Sequence, residues 1–388
     1  MKRVCSPRLA AANVLCLAVL ATCASRPVTR TPPTTAPSSS NPHGSPSARA
    51  IYSYLARLPA DGFRGAVAGQ NCGHGNQIAD PSDRLMSYDA LVAKLHDDAG
   101  KWVGMVGVDY EHDKIFRSEQ LSQANAVLID HWKKGGLVTV NWSPQNPWLN
   151  DESDLTANQG TWTNTRNQGT NLANVKMDDL IDSASAIHSV WMRKLDRVAA
   201  ALAELRDAGV IVLWRPMQEM NGDWFWWGYA TRPKDGGPYQ RLWQAMFRTF
   251  SEDKGLDNLL WAYSPADSGA KSADFDYPGD AFVDFVSPTY YGDTLDLAHY
   301  PSYLALGKPM GFAEFGITSK GANERDGTYD VRRYIDAIRT RYPDVSYFVS
   351  WHNWDWGDGS IAHQSLSANQ HAAELLSDPS VIAAPIGR

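Results

Sequence analysis

The sequence has 388 residues, 43% hydrophobic and 20% charged, with a formal net charge of −7. That length accommodates one large domain or two ordinary ones, and the mild acidity argues against nucleic acid or an anionic membrane surface as partner. The aromatic content is 11%, including 15 tryptophans, which exceeds what a core requires and points to carbohydrate binding.

Lys2, Arg3 and Arg8 precede an apolar stretch over 9–21, the composition of an export leader and too short for an ordinary membrane span with those flanks. Residues 20–23, LATC, resemble a bacterial lipoprotein box, in which Cys23 would become the lipidated first residue. Thr22 departs from the small residue usual before that cysteine, and cleavage near Ala24 with free secretion is the alternative. Residues 1–24 are therefore read as a leader of lipoprotein type on a cell-envelope or secreted protein. Residues 25–47 are Pro, Ser and Thr with almost nothing to bury, a disordered linker ahead of one folded domain over 48–388. Of the 4 cysteines, Cys5, Cys16 and Cys23 lie in the leader. Cys72 alone remains in the domain, so no disulfide forms there and the core carries stability.

Short apolar runs then recur as strand candidates at 65–69, 102–108, 137–142, 210–214, 259–263, 282–288, 310–313 and 347–351. Segments with helical spacing lie between several of them, at 119–134, 187–207, 239–254 and 331–342. Strand and helix alternating in this way predict an α/β fold, a single (β/α)8 barrel, with the doubly wound open sheet as the structural rival. No Gly-rich phosphate loop follows the first strand, which favours the barrel. Chemistry-bearing residues sit at or just past the strand ends: Gln70 and His74, Asp109, Trp142, Glu219, Tyr290 and Tyr291, Glu314, and Trp351. In a barrel those ends open onto one face, so residues scattered in sequence become a ring in space. The stretch 143–177 is rich in Asn, Thr, Gly and Gln, carries Trp148 and Trp162, and has no helical period. Its amides suit the hydroxyls of a polysaccharide lying in a cleft; disorder is the alternative.

Two carboxylates stand out. Glu219 follows the buried run GVIVLW (209–214) and precedes Trp224, Phe225, Trp226 and Trp227, a cluster too dense for one face of a helix or strand. Those rings suit the apolar faces of sugars, or else form a tryptophan-rich corner of the core. Glu314 is the only charge between Pro309 and Ile317. A carboxylate in so apolar a setting must be compensated or functional. Remote in sequence but able to converge across a parallel barrel, the pair meets the needs of glycoside hydrolysis, in which one carboxyl is kept protonated for the leaving oxygen and one ionised for the anomeric carbon.

The motifs WRPMQEMNGDWFWWG (214–228) and GFAEFG (311–316) resemble the catalytic signatures of glycoside hydrolase family 26, whose best-known members are endo-β-1,4-mannanases with a (β/α)8 barrel. The likeness runs from about Gly65 to Trp356. It implies that Glu219 is the acid/base after strand four and Glu314 the nucleophile after strand seven, in a retaining mechanism that needs the carboxyls roughly 5 to 5.5 Å apart. Tyr291 matches a family tyrosine near the nucleophile, and Arg215 is the second candidate to hold Glu314 ionised, or else a structural ion-pair partner. Trp351 resembles the family's stacking platform, and Trp224 walls the same cleft. His74, Asp109, Trp142, Ser143 and Gln218 complete the expected sugar-binding set. Three positions depart from the mannanase pattern: Gln218 replaces a histidine before the acid/base, Ser143 a histidine after Trp142, and Thr289 an aspartate. All belong to the region that reads the sugar beside the cleaved bond, where mannose differs from glucose and xylose by an axial 2-hydroxyl. The expected protein is thus an endo-acting β-glycanase, first on β-1,4-mannan, and alternatively on β-1,3-1,4-glucan or β-1,3-xylan. A polysaccharide-binding protein without turnover is the rival class. The expected molecule is a monomer without cofactor, touching a membrane only through a lipid on Cys23. No H-E-x-x-H spacing supports a zinc hydrolase.

Overall fold

The computed structural model describes residues 39–387 apart from 61, 113, 150–151, 153–175, 230–236 and 319–320. The leader, Cys23 and most of the linker lie outside the described residues, as do Trp162 and most of the stretch 143–177.

The eight apolar runs form the eight strands of a closed parallel barrel. They are β1 (Ala66–His74), β2 (Met105–Asp109), β3 (Leu137–Trp142), β4 (Val212–Pro216), β5 (Leu259–Tyr263), β6 (Phe285–Val286), β7 (Met310–Phe312) and β8 (Val345–Ser350). Each pairs with its successor, and β8 pairs with β1 from Val67 opposite Tyr347 to Gln70 opposite Ser350, which closes the barrel and removes the open-sheet alternative. The run at 282–288 contributes less strand than expected: Asp280–Phe282 is a 3-10 turn and only Phe285–Val286 pair in the barrel. Beyond them Thr289–Tyr291 pairs in parallel with Glu314–Gly316, extending the mouth between β6 and β7. Helices predicted from their spacing are present as α2 (Ser118–Lys133), α3 (Ala186–Asp207), α4 (Gly237–Arg248) and α5 (Arg332–Arg341), preceded by an unpredicted α1 (Pro46–Ala60).

Side-chain alternation sorts the strands into two cores. Val67, Met105, Leu137, Ile211, Leu213, Leu260, Ala262, Phe285, Tyr347 and Val349 fill the barrel together with Ala48, Ile51, Tyr52, Leu55 and Leu58 of α1, which plugs its lower end. The intervening residues, such as Val138, Val140, Val212, Trp214 and Trp261, pack outward against the helices. Gly311 has to be glycine because a Cβ there would overlap the ring of Tyr347, which crosses the barrel interior.

The folded part therefore starts before Ala48. Residues 39–47, assigned to the linker by composition, lie against the barrel: Asn41 is buried and reaches the Leu256 carbonyl at 3.2 Å, and Ser45 Oγ accepts from Ala48 N at 3.2 Å to cap α1. Small polar residues that look like linker are here hydrogen-bonding and capping groups. Cys72 is a buried free thiol whose pKa burial raises.

Candidate active site

The site is built on the turn after β4. Met217 and Glu219 both have left-handed backbone, with φ of 48° and 58°, and neither is glycine. Such conformations persist only where the surroundings over-determine them. Here Met217 N donates to Trp142 O at 2.9 Å, Tyr239 Oη donates to Met217 O at 2.9 Å, and Glu219 N donates to Ser264 O at 2.7 Å. Asn221 anchors the far side by exchanging hydrogen bonds with Ala266, at 2.8 Å each way. The tryptophan cluster completes the clamp. Trp226 Nε1 donates to Pro144 O at 2.7 Å, Trp227 Nε1 to Gln218 O at 2.6 Å, and Trp224 Nε1 to the Glu219 carboxylate at 2.6 Å. Phe225, Trp226 and Trp227 are buried, so three of the four rings belong to the core and not to a sugar surface; half-buried Trp224 alone stands beside the acid.

Opposite this turn, Glu314 lies in register with Thr289 on the paired strands Glu314–Gly316 and Thr289–Tyr291. Arg215, one step beyond the inward-facing Leu213, projects up into the mouth and donates from Nη2 to Glu314 Oε1 at 2.6 Å. The same Nη2 reaches Thr289 Oγ1 at 2.8 Å, and Arg215 Nε reaches Ser264 Oγ at 2.8 Å. Tyr291 Oη donates to Glu314 Oε2 at 2.5 Å. Burial, then the charge of Glu314, raises the Tyr291 pKa well above its ordinary value, so the phenol remains a donor. Thr289 also hydrogen-bonds Glu219, so one hydroxyl links the Arg215–Glu314 pair to the second carboxylate. Burial and, next, the like charge of Glu314 push Glu219 up to about 7, against the opposing effects of Arg215, Trp224 and Thr289. One carboxyl is thus clamped by two donors, one cationic, and its neighbour retains a proton near neutrality, the division of roles that paired-carboxylate catalysis requires.

Trp351 continues the inward parity of Tyr347 and Val349 past the end of β8, and its ring centre lies 6.0 Å from the Arg215 guanidinium. Gln70 is within β1, not after it, and acts as a tie: its Nε2 donates to Trp351 O at 2.9 Å and its Oε1 accepts from Leu366 N at 2.9 Å.

The remaining expected sugar readers divide. Asp109, Ser143 and Gln218 form a chain. Ser143 Oγ donates to Asp109 Oδ2 at 2.5 Å, Ser143 N donates to Asp109 Oδ1 at 3.1 Å, and Gln218 Nε2 donates to Ser143 Oγ at 2.8 Å. Because the serine proton goes to a carboxylate, its lone pairs must take the amide N–H, which fixes the glutamine orientation and leaves Gln218 Oε1 without a partner among the described residues. Ser143 and Asp109 are wholly buried and hydrogen-bonded to one another, and the chain they form supports Gln218. Burial raises Asp109 to about 6, despite the opposing influence of His74 and Ser143. His74 Nε2 faces His352 Nε2 at 3.1 Å, His352 Nδ1 donates to Asn353 O at 2.7 Å, and the His74 ring lies 4.4 Å from that of His112, so His74 is part of a buried imidazole cluster.

Trp142 is a correction. It is wholly buried, stacked 5.3 Å from Trp191 and 6.1 Å from Trp214, with Nε1 donating to Glu111 Oε2 at 3.2 Å. In LVTVNW the inward face is Leu137, Thr139 and Asn141, so Trp142 shares the outward phase of Val138 and Val140 and points at α3, away from the cleft.

Sequence reasoning missed Ser264, Glu111, Lys194 and Arg197. Glu111 accepts from wholly buried Lys194 at 3.0 Å, from Arg197 at 3.3 Å and from Gln145 N at 2.8 Å, fixing the start of the loop after β3. Burial works to raise its pKa, but Lys194 and Arg197 hold it below the ordinary value. The only sequence signal was the pair Lys194 and Arg197 on one helix side, three positions apart. Among the described residues no group of three or more His, Cys, Asp or Glu is arranged to hold a metal ion.

A family model described as glycosyl hydrolase family 26 matches residues 40–382, a longer span than the motifs alone delimit. The chain is 31% identical over 355 residues to mannan endo-1,4-beta-mannosidase A and B of Caldalkalibacillus mannanilyticus, covering 88% of this chain but only 62% of that relative's length. It is 29% identical over 320 residues to a mannan endo-1,4-beta-mannosidase of Bacillus subtilis, covering 80% of this chain and 81% of the relative. Among solved structures, Bacillus subtilis mannanase man26 aligns with a TM-score of 0.73 at 26% identity, over 90% of this chain and 96% of that one. The barrel, the two carboxylates on the fourth and seventh strand ends and a match that spans nearly the whole described chain agree: the protein belongs to glycosyl hydrolase family 26.

Proposed function

We propose that the protein is a retaining, endo-acting β-1,4-mannanase. The observation that carries the reading is the contrast between the two carboxylates: Glu314 held by Arg215 and Tyr291, Glu219 pushed up to about 7 beside it. Glu314 attacks the anomeric carbon while Glu219 gives its proton to the departing glycosidic oxygen, so the C–O bond breaks as a bond to the carboxylate forms. Glu219, now ionised, takes a proton from water, which attacks the same carbon and releases Glu314, and the sugar leaves with its original configuration. Arg215 and Tyr291 orient the nucleophile, and Trp351 offers its ring to the sugar.

Mannan is the substrate favoured because the relatives that match most of this chain carry that activity in their names. The three departures from the mannanase pattern fit this reading when taken together: Thr289 serves Arg215 and Glu219, and Ser143 serves Gln218, so these side chains support the carboxylates and the amide. The test is a panel of unsubstituted β-1,4-mannan, mixed-linkage β-glucan and β-1,3-xylan, with reducing ends assayed and the first-formed anomer read by proton NMR. Fastest release from mannan with the β-anomer appearing first is expected. Release from another polymer alone would overturn the substrate, and an α-anomer first would overturn the mechanism.

A further inference from the structure

Trp356 is the one large hydrophobic side chain that is exposed among the described residues, at 37%. It stands at the tip of a small hairpin, Trp354–Asp355 paired with Ile361–Ala362, that follows β8 on the catalytic face. The tip is stiff. Trp356 N donates to Ser360 O at 3.1 Å, Gly357 N donates to Asp355 Oδ1 at 2.7 Å, and Ser360 N donates to Asp358 Oδ1 at 3.0 Å.

The indole itself is held in place. Its Nε1 donates to Glu324 Oε1 at 3.0 Å, and the Arg325 guanidinium lies 5.8 Å from its ring centre. Arg325 is tied in turn to Ser360 Oγ at 2.6 Å. Glu324 and Arg325 sit on the short helix Ala322–Asp326 after the strand that carries Glu314. Loops following the seventh and eighth barrel strands, the same that supply Glu314 and Trp351, thus cooperate to hold one ring at the surface. A path of rings joins it to the cleft: Trp351 to His352 at 5.3 Å, His352 to Trp354 at 6.3 Å, and Trp354 to Trp356 at 5.5 Å.

An exposed hydrophobic ring is ordinarily mobile or covered. This one is pinned through its N–H and beside a cation, with ring surface left bare, on a hairpin that leaves the same mouth as Trp351. From this geometry we propose that the hairpin carries an outlying sugar-binding position, with Trp356 as its platform, that takes a distant unit of the same glycan chain. Beside the ring, Glu324 accepts the indole N–H and Arg325 is ion-paired with Asp358 at 3.3 Å, so no uncompensated cation faces it and the chain it accepts is neutral rather than uronic. The proposal rests on the glycanase reading of the cleft, and it explains how a long chain would be favoured over a short one without a change in the chemistry.

The test compares Trp356→Ala, Trp356→Phe and the wild type on β-1,4-mannan polymer and on mannotetraose. In Trp356→Ala the ratio of kcat/KM for polymer to that for mannotetraose falls about tenfold, through KM, and Trp356→Phe restores most of it. An unchanged ratio, or an equal loss on both substrates, overturns the platform. Should the wild type cleave no mannan, which would sink the parent reading, affinity electrophoresis through gels containing mannan, mixed-linkage glucan or xylan decides separately. Retardation lost in Trp356→Ala supports the platform; equal retardation, or none in the wild type, overturns it.

Discussion

Trp224→Phe isolates the hydrogen bond that tunes the acid. The indole Nε1 donates to Glu219 Oε2 at 2.6 Å, and only the ionised carboxylate takes full advantage of it. Phenylalanine keeps an aromatic wall but has no donor. A hydrogen bond to a charged group contributes about 1.5–3 kcal/mol, and partial solvent contact of both side chains argues for the lower end. About 1.4 kcal/mol corresponds to one pH unit, so Glu219, at about 7 in the native site, retains its proton to about pH 8 in the variant. The sign follows from which form is stabilised: removing a partner of the carboxylate favours the carboxylic acid. The basic limb of kcat/KM, measured on mannohexaose so that the leaving sugar needs its proton, therefore moves up by about one pH unit. The acidic limb stays, because Trp224 makes no hydrogen bond to Glu314. Absolute rates can fall without moving either limb, since limb position is independent of amplitude. A basic limb that stays at its native position or moves to lower pH would refute the assignment of Glu219 as the proton donor tuned by Trp224.

Trp142 and Asp109 give two further expectations. Trp142→Ala loses about 3–5 kcal/mol of unfolding free energy in urea, because a ring wedged between Trp191 and Trp214 leaves a cavity, while Trp142→Phe folds with an unaltered KM for mannohexaose; a folded Trp142→Phe with a sharply raised KM would return this residue to the cleft. Asp109, raised to about 6 by burial, makes the folded state less favourable as pH climbs from about 4 to about 7, by roughly 2–3 kcal/mol, because folding there opposes its ionisation. Urea denaturation across that range should show the wild type losing stability relative to Asp109→Asn as pH rises, and a pH-independent gap between the two would rule out the buried carboxyl as the source of the loss.

Much of the scaffold was legible because a barrel writes itself locally. Runs such as GVIVLW and LLWAY are buried on both faces and uninterrupted, and their spacing leaves room for one helix each. The helix α1 went unread although Ala48, Ile51, Tyr52, Leu55 and Leu58 carry helical spacing, and the proline- and serine-rich composition just before it drew the domain boundary too late. The two glutamates could be found because Glu314 is the lone charge in an apolar run and Glu219 is the first acid after one, ahead of an aromatic cluster. The direction in which strand-end residues point was harder. Trp142 looked like a sugar ligand by position, although Thr139 and Asn141 marked the opposite face as the one leading to the mouth. In the same way Trp226 and Trp227 looked like a sugar surface by composition, and burial makes them a clamp.

The sequence by itself determined the strand count, the strand–helix alternation, the two candidate carboxylates and the aromatic residue at the end of β8, since these depend on periodicity and on which charges stand near apolar runs; closure of the barrel needed the β8–β1 pairing. Tertiary structure alone decided what surrounds each carboxylate. Left-handed backbone at Met217 and Glu219 carries no glycine to announce it and exists because Trp142, Tyr239 and Ser264 hold the turn. The proton held by Glu219 depends on burial and on Glu314, brought alongside by barrel closure. Thr289 and Ser143, which in sequence look like lost polar readers, become useful only through Arg215, Glu219, Asp109 and Gln218. Proximity across strands fixes pKa and hydrogen-bond direction, and proximity is what a linear pattern does not contain.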